Sequence, residues 1–228
     1  MPALSPRAVL FDLDGTLADT APDLVAAVNQ LRTARGLAPA EYSMLRPYAS
    51  AGARGLIGAA FGLQPGDQDY EALRISFLEN YVSAIAAKTR LFDGIPELLE
   101  LLTVSNTPWG IVTNKAARLT DLLVAKIGLG HAACVVSGDT TPHAKPHPAP
   151  LQEAARRIGI SPEECWYVGD DIRDIEAGRA AGMKTIAAAW GYCGETAPAT
   201  WNADWLMETP ADLGVHLAQN GKDSKVQA

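Results

Sequence analysis

Asp12 and Asp14 lie in the stretch "AVLFDLDGTLADT", Ala8 to Thr20, where an apolar run ends in two acids with one leucine between them. Side chains two apart on a strand share a face, so both carboxylates point the same way as the strand ends, and Gly15 permits the sharp turn that follows. Two carboxylates about 4 Å apart repel by roughly 4 kcal/mol at an effective dielectric near 20. A hard cation such as Mg²⁺, which prefers oxygen ligands, offsets that cost, and so does protonation of one acid. For these residues alone, a solvated loop start with Asp14 in a local turn hydrogen bond is the alternative.

Further polar groups end the other apolar runs. Thr113 and Asn114 follow "GIV"; Asp170 and Asp171 follow "YVG", with Asp174 one helical turn on; Lys145 sits in the proline-rich "HAKPHPAP". In open α/β sheets ligands bind beyond the carboxyl ends of the strands, where all of these would gather. Hydroxyl, amide, ammonium and clustered carboxylates together suit a metal-bound phosphate. Each has a plainer role when taken singly: Thr113 as a helix cap, Lys145 as a solvated lysine, "GDD" as an acidic helix start. Asp19 reads equally as a hinge contact or as an acid at a helix N-terminus. His143 and His147 read as loop histidines, and Trp190 and Tyr192 as packing or cleft-rim residues.

The elements that must position these groups are legible in the patterning. "WGIVTN" from Trp109, "ACVVSGD" from Ala133, "CWYVGDD" from Cys165 and "KTIAAAW" from Lys184 are near-continuous apolar runs with helical stretches between them. Strands covered on both faces look like this, and the pattern predicts an α/β parallel sheet with helices on both sides. Between Asp19 and Lys88 no strand is expected. Apolar residues there recur at helical spacing, as in Leu73, Phe77, Tyr81 and Ile85, or Leu24, Val28 and Leu31. The domain reading is therefore residues 1–18 and 90–219 as an α/β core, 19–89 as a helical insertion, and 220–228 as a polar, frayed tail.

At 228 residues, 48% hydrophobic and 20% charged, the chain has a globular composition. The formal charge of −7 argues against nucleic-acid and anionic-membrane surfaces, so any anionic substrate must be drawn in by local positive charge. Apolar runs fall well short of the ~18 residues of a spanning helix, which suggests a cytoplasmic protein. Cys134, Cys165 and Cys193 are too scattered for a zinc set and read as free thiols.

The residues resemble the haloacid dehalogenase superfamily of aspartate-nucleophile phosphatases over nearly the whole chain. Asp12-Leu13-Asp14-Gly15-Thr16 is similar to its first motif, Thr113 to its second, Lys145 to its third, and Gly169-Asp170-Asp171 with Asp174 to its fourth. The insertion resembles the family's small α-helical cap on a Rossmann-like core. "FDGIPELLE", "WGIVTNK" and "YVGDDIRDIEAGRAAGMKT" resemble the phosphoglycolate phosphatase group and, more closely, bacterial N-acetylmuramate 6-phosphate phosphatases.

The resemblance implies that Asp12 is the nucleophile, Asp14 the general acid and base, and Thr113, Asn114 and Lys145 the phosphoryl and charge-balancing groups. It implies that Mg²⁺ is held by Asp12, the Asp14 carbonyl and Asp170, with Asp171 and Asp174 as further acids at the metal. Specificity should lie in the insertion, in "ASAGARGLIGAAFG" from Ala49, where Gly52 lets the backbone approach a ligand and Arg54 is positioned to pair with a substrate carboxylate. The implied partner is a small phosphorylated metabolite, for a monomer or weak homodimer. Phosphoglycolate stands first and N-acetylmuramate 6-phosphate second. A β-phosphoglucomutase-like phosphosugar mutase is more distant. A dehalogenase has no use for Asp14 as a leaving-group acid, and a receiver-like switch is about half this length.

Overall fold

The computed structural model describes residues 5–223. Six strands form one parallel sheet: β1 (Ala8–Phe11), β4 (Trp109–Val112), β5 (Val135–Val136), β6 (Cys165–Gly169), β7 (Lys184–Ala188) and β8 (Trp205–Met207), in the order β5-β4-β1-β6-β7-β8. All neighbours pair in parallel, with Leu10 registered between Gly110 and Tyr167. Two very short strands, β2 (Ala18–Asp19) and β3 (Arg90–Leu91), pair antiparallel apart from it. From β1 the chain moves outward to β4 and β5, then returns to the other side of β1 for β6. That reversal opens a crevice at the carboxyl ends of β1 and β6.

Strand residues alternate between two packed layers. Val9 and Phe11 join a core built with α5 (Ile95–Val104), α6 (Ala117–Lys126) and α9 (Pro210–Asp223), while Ala8 and Leu10 face α7 (Ala149–Ile158) and α8 (Ile172–Ala180). Helices thus cover both faces, as expected from the apolar strand runs. The expected strand from Ala133 shrinks to two paired residues at the sheet edge. The other edge carries β8, whose half-buried Trp205 and exposed Leu206 lack an apolar run that would announce a strand.

Between β2 and β3 the chain is helical: α1 (Ala21–Ala34), α2 (Tyr42–Leu45), a 3-10 turn (Arg46–Ala51), α3 (Gly52–Phe61) and α4 (Tyr70–Ser83). Leu73, Phe77 and Tyr81 line the buried face of α4 and pack in one cluster with Leu24, Val28 and Leu31 of α1. The two ends of the insertion meet in the β2–β3 pair, where Asp19 registers with Arg90. Helix α9 runs to Asp223, past the expected core boundary at 219; the rest of the expected tail, 224–228, lies outside the described residues. Among the described residues no helix is long and apolar enough to cross a membrane.

Asp23 ties the insertion to its exit. Its buried carboxylate, at the start of α1, accepts from the backbone N–H of Lys88 and Thr89 at 2.9 Å each and from the Thr89 hydroxyl at 2.8 Å. Asp23→Ala leaves these three donors without their acceptor, at about 1–3 kcal/mol. Thermal unfolding is expected to drop by roughly 2–12 °C on the scale of ~2–4 °C per kcal/mol for chains of this size. Asp23→Asn, which keeps one acceptor oxygen, is expected to lose less.

Candidate active site

The first strand delivers Asp12 and Asp14 to the crevice. The Asp12 N–H bonds the Val168 carbonyl at 2.9 Å, continuing the ladder with β6, and the chain then turns at Gly15. Gly15 has φ +95, and a Cβ there would sit 2.1 Å from an Asp170 carboxylate oxygen. Positive φ and close approach both demand glycine.

Lys145 is the hub. Its buried ammonium lies 2.9 Å from Asp12 Oδ1, 2.7 Å from Asp174 Oδ1, 2.8 Å from the Tyr167 hydroxyl and 3.0 Å from the Val112 carbonyl. Tyr167 Oη in turn lies 2.9 Å from the same carbonyl and 3.2 Å from Asp174 Oδ1, the two acceptors for its proton, while it accepts from Lys145. Asn114 fixes the lysine's backbone, donating to the Lys145 carbonyl and accepting from its N–H, both at 2.9 Å. The amide expected to bind phosphoryl oxygens is thus committed to positioning Lys145. Thr113 is buried at the end of β4, where its hydroxyl accepts from the Lys115 N–H at 3.1 Å, pinning the turn rather than capping α6.

Asp14 has its own cation, which the sequence reading missed. Lys115 Nζ lies 2.8 Å from Asp14 Oδ1, the Thr20 hydroxyl donates to the same oxygen at 2.6 Å, and the ammonium rests 4.8 Å from the Tyr81 ring centroid. Burial, the largest cause, pushes the Tyr81 phenol up to about 12. Lys115 directly follows Thr113-Asn114 in the sequence, where nothing marks it as facing Asp14.

Asp170, fully buried, accepts from the Thr16 hydroxyl at 2.9 Å, the Tyr192 N–H at 2.8 Å and the Ser50 hydroxyl at 3.2 Å. Carboxylate oxygens of Asp12, Asp170 and Asp174 lie within 4.8 Å of one another, an all-oxygen, buried set that could hold a metal ion. Burial, aided by the neighbouring charges, holds Asp170 well above the usual carboxylate range. Asp12 is pushed to about 7 by burial, partly opposed by Lys145. Carboxylates crowded together in this way are what a divalent cation relieves.

Asp171 is not in that group. Its carboxylate caps α8, accepting from the Arg173 N–H at 2.9 Å, and pairs with the Arg173 guanidinium at 2.8 Å, which holds it below the usual range against the effect of burial. The expectation of a metal ligand at Asp171 is corrected by this capping box, in which Asp174 Oδ2 also accepts from the Asp171 N–H. Arg54 is likewise displaced. Gly52, with φ +56, and Ala53 line the cavity above the carboxylates, whereas Arg54 points to solvent and makes no hydrogen bond. Asp19 and Tyr192 meet at the neck: the Tyr192 hydroxyl donates to Asp19 at 3.0 Å and accepts from the N–H groups of Thr20 and Ala21. His143 and His147 stack on each other in a loop, ring centroids 4.4 Å apart, and the three cysteines are free.

The cavity is about 330 Å³, walled on one side by the strand ends and on the other by Phe77, Leu78 and Tyr81 of α4 and by residues 49–53. Comparison with known proteins places this geometry. Residues 9–188 match the haloacid dehalogenase-like hydrolase family. A phosphoglycolate phosphatase of Xanthomonas campestris is 46% identical over 210 residues, 91% of this chain and 95% of that protein. An N-acetylmuramic acid 6-phosphate phosphatase of Pseudomonas aeruginosa is 43% identical over 209 residues, 91% and 92% of the two chains. The crystal structure of a predicted phosphoglycolate phosphatase from Haemophilus somnus superposes with TM-score 0.83 at 26% identity, covering 94% of this chain and 99% of that one. The chain belongs to the haloacid dehalogenase-like hydrolase family.

Proposed function

We propose that this protein is a Mg²⁺-dependent phosphomonoesterase acting on a small phosphorylated metabolite through an aspartyl-phosphate. The observation that carries the reading is the pair of acids at the end of β1, each held by its own buried lysine: Asp12 by Lys145 and Asp14 by Lys115. One site thus contains two carboxylates with separate partners, which is what nucleophile and acid/base roles require. Asp12 attacks phosphorus as the ester P–O bond breaks, and Asp14 gives its proton to the leaving alkoxide. Asp14 then takes a proton from the water that attacks the acyl phosphate, releasing phosphate and restoring Asp12. Lys145 offsets the charge gathering on Asp12 and the phosphoryl oxygens, and Thr113 lines the same space. Asp12, Asp170 and Asp174 would hold Mg²⁺, which would supply the charge neutralisation that one lysine cannot complete.

Residues 19–89 act as the cap in this reading, supplying the wall against the leaving group. Phosphoglycolate is the first candidate substrate, by likeness to the relatives so named. N-acetylmuramate 6-phosphate is a second, favoured by the cavity itself: 330 Å³ with an apolar wall at Phe77 and Leu78 lies in the range of roughly 300–1,000 Å³ that encloses drug-sized ligands, and a two-carbon glycolyl group fills little of it.

Phosphate release from the two substrates, measured side by side with Mg²⁺, is expected to differ at least hundredfold in kcat/KM, about 2.7 kcal/mol of transition-state discrimination. Asp12→Asn is expected to lower kcat at least about a thousandfold while leaving the circular dichroism spectrum unchanged. Residual turnover near wild type would sink the nucleophile assignment, and isomerised sugar phosphate without free phosphate would indicate a mutase. Saturating MgCl₂ is expected to raise the melting temperature and EDTA to reverse it; at a hundred times the dissociation constant the gain is about 2.7 kcal/mol. Asp170→Asn should abolish that response, and an unchanged response would place the metal elsewhere.

A further inference from the structure

The chain carries a net charge of −7, yet five basic side chains line this one cavity against four acidic ones: Arg74, Lys115, Arg118, Lys145 and Arg173 against Asp12, Asp14, Asp171 and Asp174. Following each cation to its partner accounts for all but one. Lys145 is shared by Asp12 and Asp174, Lys115 is paired with Asp14, Arg173 with Asp171, and Arg74 with Glu71 of its own helix. Arg118 has no carboxylate within salt-bridge distance and makes no hydrogen bond through its guanidinium, which sets it apart among the described residues lining the cavity. It stands in the first turn of α6, three residues beyond Lys115, at the helix end whose dipole also favours an anion. The buried hydroxyl of Tyr81, on the opposite wall, likewise has no hydrogen-bond partner in the protein.

We propose that Arg118 is a specificity-determining residue that pairs with a carboxylate on the leaving group of the phosphomonoester. The proposal rests on the phosphatase reading and extends it. A single planar guanidinium matches a carboxylate in charge and in its bidentate geometry, whereas a second phosphate dianion would leave one charge unmet. The phosphoryl group lies with Lys145 and the strand-end carboxylates, and Arg118, exposed at the far side of the α6 turn, reaches the part of the substrate that departs. This assigns to α6 the task that the sequence had suggested for Arg54.

The test compares wild type, Arg118→Gln and Arg118→Lys on three phosphomonoesters: 2-phosphoglycolate, N-acetylmuramate 6-phosphate and the carboxyl-free p-nitrophenyl phosphate. For the better carboxylated substrate, the ratio of its kcat/KM to that for p-nitrophenyl phosphate is expected to fall at least tenfold in Arg118→Gln, mainly through KM, and to recover partly in Arg118→Lys. An unchanged ratio overturns the assignment, as does an equal loss on all three substrates. Wild-type hydrolysis of p-nitrophenyl phosphate without preference for either carboxylated ester also overturns it, while leaving the phosphatase reading intact. Wild-type failure on all three substrates with Mg²⁺ overturns the phosphatase reading itself, and Arg118 falls with it.

Discussion

The repulsion among Asp12, Asp170 and Asp174 is the constraint on which the rest of the structure depends. Their oxygens lie within 4.8 Å of one another, and two unit charges at that distance and an effective dielectric near 20 repel by about 3.5 kcal/mol. Lys145 contributes one positive charge, placed between Asp12 and Asp174, and reaches neither oxygen of Asp170 within hydrogen-bond distance. Three negatives and one positive leave a deficit. Burial and this crowding push Asp12 and Asp170 upward from the usual carboxylate range. A divalent cation held by these three carboxylates would meet the deficit without protons.

Holding such a cluster demands rigid supports, and these come from the sheet. Lys145 is fixed by the Asn114 amide on its backbone and by Tyr167 and the Val112 carbonyl at its head, all from β4, β6 or the turn after β4. The helical insertion depends on the same groups. Ser50 reaches Asp170, the Ser50 carbonyl accepts from Arg173, Arg46 donates to the Gly191 carbonyl and stacks 5.0 Å from the Tyr192 centroid, and the Tyr192 N–H holds Asp170. Contact between the insertion and the strand ends runs through these polar side chains and through an apolar cluster that α1, α3 and α4 share with β1, α5 and α6.

This division explains what was legible in the sequence. Strands β1, β4, β6 and β7 are buried on both faces, so their apolar runs stand out, and the sheet places the groups that follow them, Asp12, Asp14, Thr113 and Asp170, whereas Lys145 comes from the loop between β5 and α7 and Asp174 from the first turn of α8. Strand β8 and the stub β5 lie at edges, where half-buried residues blur the run. Arg54 was misplaced because the glycine-alanine segment offers no period from which to orient α3: Gly52 and Ala53 enter the cavity, and the next residue, some 100° further round the helix, does not. Lys115 and Arg118 were passed over for the same reason, since a basic residue opening a helix looks solvated until the facing element is known. Asp171 read as a ligand because a capping acid and a metal acid are indistinguishable in "GDD".

The two kinds of support also separate chemistry from selection. The carboxylate cluster is held by β1, β4 and β6 and the turns that follow them, whereas the facing wall of the cavity is built from helix residues, Phe77 and Leu78 of α4 and Arg118 of α6. Similarity summed over some two hundred positions weighs these few side chains very little. That is why relatives carrying two different substrate names resemble this chain almost equally, and why the discriminating evidence lies in the cavity's size, its apolar wall and the charge it leaves unpaired.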